Sequence, residues 1–271
     1  MKNPSPKTTE ELLKELAKRK IVVNKELIKE IVKREDAPKE ILRLINELNE
    51  ISDMWFPIHA IYILGLIRTK EALNTLKYII KNFDIDDFVG DLPDVFYNFG
   101  AEYFDDIKEI VLDESYDEYI RLNAFESLFM MEDVDRNKLL EFSKEVFNKL
   151  LKGDKVSDNV KCFMAGLMLT LEDKDKGFCS EVFNFIVDVI KEYNERNKHS
   201  FFKLHIDDVL YYKEENDWKK PKDLWEFYHP KNLLHLFEVN YGKLSKIDKY
   251  GPCICGSGKK FSDCCLKYLK E

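Results

Sequence analysis

The chain has 271 residues, 45% of them hydrophobic, enough for a true core in one large domain or two smaller ones. Charged residues reach 35%, above the usual quarter, and the net charge is −8. Seven lysines against three acids put +4 on residues 243–271 and leave −12 on the rest, an acidic body unsuited to wholesale nucleic-acid binding, which runs on phosphate neutralisation. Charges throughout Met1–Asn24 argue against a signal or transit sequence. The longest uncharged run, Met54–Ile67, spans fourteen residues, short of the ~18 a membrane span needs. A cytoplasmic protein with no membrane span is the expectation.

Residues 1–50 predict short amphipathic helices. Thr8 or Thr9 caps the first, with Glu11 in its first turn and Leu12, Leu13 and Leu16 at helical spacing. A second follows Asn24 with Leu27, Ile28, Ile31 and Val32 as its stripe. Pro38 suits the start of a third, carrying Ile41, Leu42, Leu44, Ile45 and Leu48. No stretch alternates with period two, so the fold class is all-α.

Over residues 51–195 the helices become longer, more apolar and paired. Residues 57–67 read as an inner helix and 71–80 as its outer partner, broken at Arg68-Thr69-Lys70. The spacing Ala-x-x-x-Leu recurs at Ala60/Leu64, Ala124/Leu128 and Ala165/Leu169. The first gap between alanines leaves room for another pair near Leu92–Gly100 and Tyr103–Leu112. A small residue with a leucine one turn on lets helices approach closely, and ~30–45 residues is the period of two-helix solenoids. Segments 57–80 and 158–190 therefore resemble degenerate HEAT repeats, which implies a helical-hairpin stack; an irregular helical bundle has the same pattern. Residues 196–242 read as a helical extension: a long ordered loop mixing aromatics and charges, then a helix near Lys231–Asn240 closed by Gly242. Residues 243–250 read as a short basic, flexible linker to a small module at 251–271.

That module carries the clearest chemistry. Cys253 and Cys255 are followed, after eight residues, by Cys264 and Cys265. Two close pairs joined by a short turn converge on one ion with little loss of chain entropy, and four thiolates fill the tetrahedral sphere of a structural zinc. Gly256 and Gly258 allow the turn, and Lys249, Lys259, Lys260 and Lys267 stand near enough in sequence to offset thiolate charge. Two disulfides or idle thiols are the dull alternatives, and iron is the chemical competitor.

The run Pro252-Cys253-x-Cys255-Gly256-Ser257-Gly258-Lys259-Lys260-Phe261-x-x-Cys264-Cys265 resembles the SEC-C motif, found at the C-terminus of the SecA translocation ATPase and as a tail on many unrelated proteins. Ile254 stands where proline is usual, and Tyr250-Gly251 replaces a polar lead-in; neither is a presumed ligand. The resemblance covers residues 250–271 alone. It implies one zinc ion on Cys253, Cys255, Cys264 and Cys265, and contact with partner proteins or ribosomes. No G-x-x-x-x-G-K-[ST] loop occurs, so motor activity is not implied.

Elsewhere the candidates have plain structural readings. His59 lies among apolar residues and reads as a packing histidine; His199, His205, His229 and His235 lack metal spacing. Cys162 and Cys179 read as core thiols, and Asp84, Asp86, Asp87, Asp105 and Asp106 as helix-end solvating groups. Trp218, Trp225 and Tyr228 fit packing over the helices better than a peptide groove. The functional expectation is a zinc-binding, non-enzymatic adaptor that meets protein partners through a helical groove and the C-terminal motif. A ribosome- or nucleic-acid-associated factor is the first alternative. An enzyme with an unrecognised site is the second, and a buried carboxylate pair would be its first structural sign.

Overall fold

The computed structural model describes residues 7–47, 55–83, 90–153, 155–215, 217–253 and 258–269. These contain fourteen α-helices and no strand beyond an isolated antiparallel bridge between Pro252 and Lys260, so the chain is all-α as expected. It divides into two compact units, Met1–Ile85 with Lys222–Glu271, and Asp86–Pro221.

The first unit opens with α1 (Thr9–Ala17), α2 (Lys25–Val32) and α3 (Ala37–Glu47). Thr8 forms a capping box: its Oγ1 accepts from Glu11 N at 3.2 Å while Glu11 Oε2 accepts from Thr8 N at 2.8 Å. Asn24 Oδ1 caps α2. Then come α4 (Trp55–Ile67) and α5 (Lys70–Asn82). From Trp55 to Gly65 every residue of α4 is buried, because α1, α2, α3 and α5 all pack around it. The uncharged run is thus a core helix of about 20 Å at 1.5 Å per residue, and no described helix is long and apolar enough to cross a membrane.

The second unit runs through α6 (Leu92–Phe99), α7 (Phe104–Leu112), α8 (Glu118–Met130), α9 (Arg136–Val146), α10 (Asp158–Leu169), α11 (Lys176–Arg196) and α12 (Ile206–Glu214). Here α8 receives α6 and α7, and α10 receives α8, α11 and α12. Arg121, nearly fully buried in α8, donates from Nε to the Val111 carbonyl at 2.9 Å, satisfying a backbone group that the end of α7 leaves open. The three Ala-x-x-x-Leu pairs fall on the interior helices α4, α8 and α10, and all six residues are buried. The intermediate pair expected near 92–112 is α6 and α7.

The chain then returns to the first unit through a 3-10 turn at Leu224–Tyr228, α13 (Pro230–Tyr241) and α14 (Cys265–Tyr268). Pro230 occupies the first position of α13, and Gly242, at φ 84°, closes it. A loop was expected over most of 197–230, yet α12 lies within it. Its only buried residue is Val209, so its sequence shows no apolar stripe, and packing against α10 holds it helical.

That packing depends on Gly166. A Cβ there would lie 2.8 Å from the Val209 carbonyl oxygen and 2.9 Å from Val209 Cγ1, so α10 and α12 touch backbone to backbone. Gly166→Ala is expected to cost about 1–3 kcal/mol, from overpacking partly offset by helix propensity. A denaturant midpoint that does not fall would contradict this close approach.

Candidate metal centre

The end of the first unit is folded by short backbone links. Cys253 N donates to the Lys259 carbonyl at 2.7 Å, Phe261 N to Gly251 at 3.0 Å and Ser262 N to Lys249 at 2.8 Å. Gly258 makes the return possible at φ 72°, where any L side chain is strained. The 3-10 turn Phe261–Asp263 then delivers Cys264 and the first residue of α14, Cys265.

As a result the sulfurs of Cys253, Cys264 and Cys265 lie within 4.8 Å of one another, and all three side chains are buried. Tetrahedral thiolates about 2.3 Å from an ion stand about 3.8 Å apart, so this cluster fits a metal with little adjustment. Cys255, the fourth expected ligand, lies outside the described residues.

The module sits on its own unit. Phe261, 1% exposed, stacks on Phe237 of α13 with ring centroids 5.7 Å apart. Leu266 and Leu269 are buried as well. Arg19, just past α1, approaches Cys264: its Nη1 donates to Sγ at 3.8 Å, while its Nη2 pairs with Glu15 at 3.2 Å. Sequence reasoning looked for compensating charge in the neighbouring lysines, and Lys259, Lys260 and Lys267 are exposed. Arg19 left no signal because 245 residues separate it from Cys264.

Residues 252–267 match the SEC-C motif. No curated protein and no solved structure matches the chain. The SEC-C match spans the three clustered cysteines and Phe261.

The other candidates are placed as follows. His59 is fully buried in α4, with Nε2–H donating to the Lys20 carbonyl at 2.9 Å and Phe227 and Tyr228 against its ring. Its Nδ1 is buried without a partner. Desolvation pulls its pKa down to about 4, against the contrary pull of the Lys20 carbonyl, so it is a neutral packing group. His229 Nδ1 accepts from Lys231 N and caps α13. Cys162 and Cys179 are buried, and burial pushes their thiols up to about 12 and about 11. Asp105 and Asp106 stand in the first turn of α7, Asp105 paired with Lys138; Asp84, Asp86 and Asp87 lie outside the described residues. Trp218 Nε1 donates to the Tyr212 carbonyl, and Tyr228 is buried against α4, so both serve packing. Trp225 is half-buried, with the Lys25 ammonium over its ring.

One titratable pair was missed, and it is of the kind named above as the first structural sign of an enzyme. Burial, then the charge of Asp94 on α6, raises Glu126 of α8 to about 7. Thirty-two positions separate the two, and nothing local in the sequence links them.

Two outcomes are expected. Cys264→Ser should lose most of the metal that the native protein carries after purification under reducing conditions; elemental analysis finding equal metal in both would contradict the cluster. His59 has a lowered pKa, so between about 6.5 and 4 the unfolded chain binds the proton that the folded chain refuses, and stability falls as pH falls. The stability gap between the native protein and His59→Gln should narrow by about 3 kcal/mol across that window. A constant gap would contradict a neutral His59.

Proposed function

We propose that Cys253, Cys255, Cys264 and Cys265 hold one structural zinc ion, and that the chain is a non-enzymatic adaptor joining protein partners. Three converging buried thiols carry the zinc reading, supported by the SEC-C match. With all four positions taken by protein sulfur, the ion cross-links the module and offers no site to a substrate.

A groove of about 600 Å³ in the second unit supports the adaptor reading. The end of α10, α11 and α12 line it, with Leu169, Phe183 and Leu210 among its apolar residues and the paired Lys213 and Glu172 among its charged ones. Phe183 and Val187 are about two-fifths exposed on α11, an apolar strip suited to a partner helix. A groove and a zinc module on one chain reinforce two weak contacts through effective concentration. The basic balance of residues 243–271 favours a second reading, a ribosome- or nucleic-acid-associated factor.

Affinity capture with the intact chain separates the two. Proteins retained after nuclease treatment and in about 0.3 M salt, and lost with Phe183→Asp, are the expected result. Capture abolished by nuclease or by that salt would favour nucleic acid, and capture indifferent to Phe183→Asp would remove the groove from the adaptor reading.

A further inference from the structure

A four-thiolate zinc centre carries −2, and such charge in a buried setting calls for donors aimed at the sulfurs. Arg19 supplies such a donor, its Nη1 lying 3.8 Å from Cys264 Sγ in the cluster. The guanidinium is held from behind. Glu15, one turn earlier, takes Nη2 at 3.2 Å, and Glu15 itself is paired with Lys7 at 2.6 Å. The backbone that follows is fixed as well. The Lys20 carbonyl accepts from buried His59, the Lys20 ammonium lies 5.8 Å over the Tyr241 ring, and Ile21, Val22 and Val23 are buried.

Two consecutive residues after α1 therefore reach all three neighbours: Arg19 the cysteine cluster, and Lys20 both α4 and α13. A guanidinium there cannot swing away freely, because Glu15 orients it from one side and the anchored backbone from the other.

We propose that Arg19 is a positioning residue of the metal centre, donating charge-assisted N–H to the Cys264 thiolate and so slowing loss of the ion. This rests on the reading of the cysteines as a metal site. The N–H···S bond withdraws charge from the thiolate, which makes it a poorer target for protons and oxidants and so slows its departure from the ion when a chelator competes. The same bond ties α1 to the module, so occupancy of the metal site is felt at the N-terminal helices, far away in sequence.

The test uses the full chain loaded with zinc, and separately with cobalt as a spectroscopic probe. Arg19→Met is expected to speed transfer of zinc to a chromophoric chelator by about 10-fold or more, and to shift the sulfur-to-cobalt charge-transfer band. Arg19→Lys, which keeps the charge, should recover most of the slow release. Asp117→Ala weakens α8 in the second unit through its cap without touching sulfur, and should leave the release rate and the band where they are. Amide exchange in Thr9–Ala17 should quicken on zinc removal in the native protein and be fast from the outset in Arg19→Met. A metal-binding native protein with an Arg19→Met variant matching it in release rate and band sinks this proposal alone. A native protein that takes up neither ion sinks it together with the metal reading.

Discussion

Crowding three thiols within 4.8 Å of one another inside a protein sets a constraint that the surrounding chain must meet. As thiolates, two unit charges about 4 Å apart repel by about 4 kcal/mol at an effective dielectric of 20, and burial adds the loss of hydration. A divalent cation at their centre reverses the sign of that energy. The features around the cluster serve the same end: Gly258 turns the chain back, the backbone links from 249–253 to 259–262 set the distance, and Arg19 brings a cation to Cys264.

The proposed zinc module is built against helices. Phe261 stacks on α13, α13 follows the turn at 224–228, and that turn lies on α4 through Phe227 and Tyr62, whose rings stack 3.8 Å apart. A motif of this size has little apolar surface of its own, and borrowing a face from a neighbouring helix lowers the cost of ordering it. The first unit is in this sense closed by the two ends of the chain: helices from residues 9–82 supply α4 and its surroundings, and residues 224–269 complete the packing.

Much of this was legible in the sequence, for identifiable reasons. The cysteine spacing was readable because metal chemistry needs its ligands close, and the three cysteines of the motif that lie among the described residues meet in the cluster. The interior helices were readable because burial on all sides removes the polar face: Ala60, Ala124 and Ala165 mark α4, α8 and α10 without settling any repeat among them. Thr8, Asn24 and Gly242 announced helix ends through capping chemistry confined to a few residues. What escaped depended on distant neighbours. Helix α12 buries Val209 and little else, so its pattern looks like a loop. Arg19 is one charged residue among many until Cys264 is placed beside it, and Glu126 becomes unusual only once packing buries it, with the charge of Asp94 on another helix adding to the effect.

The central claim is that cysteine sulfurs alone surround one zinc ion at the end of the first unit. X-ray absorption at the zinc edge on the purified full-length chain measures this directly. Four sulfur scatterers at about 2.3 Å with no nitrogen or oxygen shell is the predicted result. A shell of mixed light atoms, or a protein carrying no zinc after purification under reducing conditions, would contradict it.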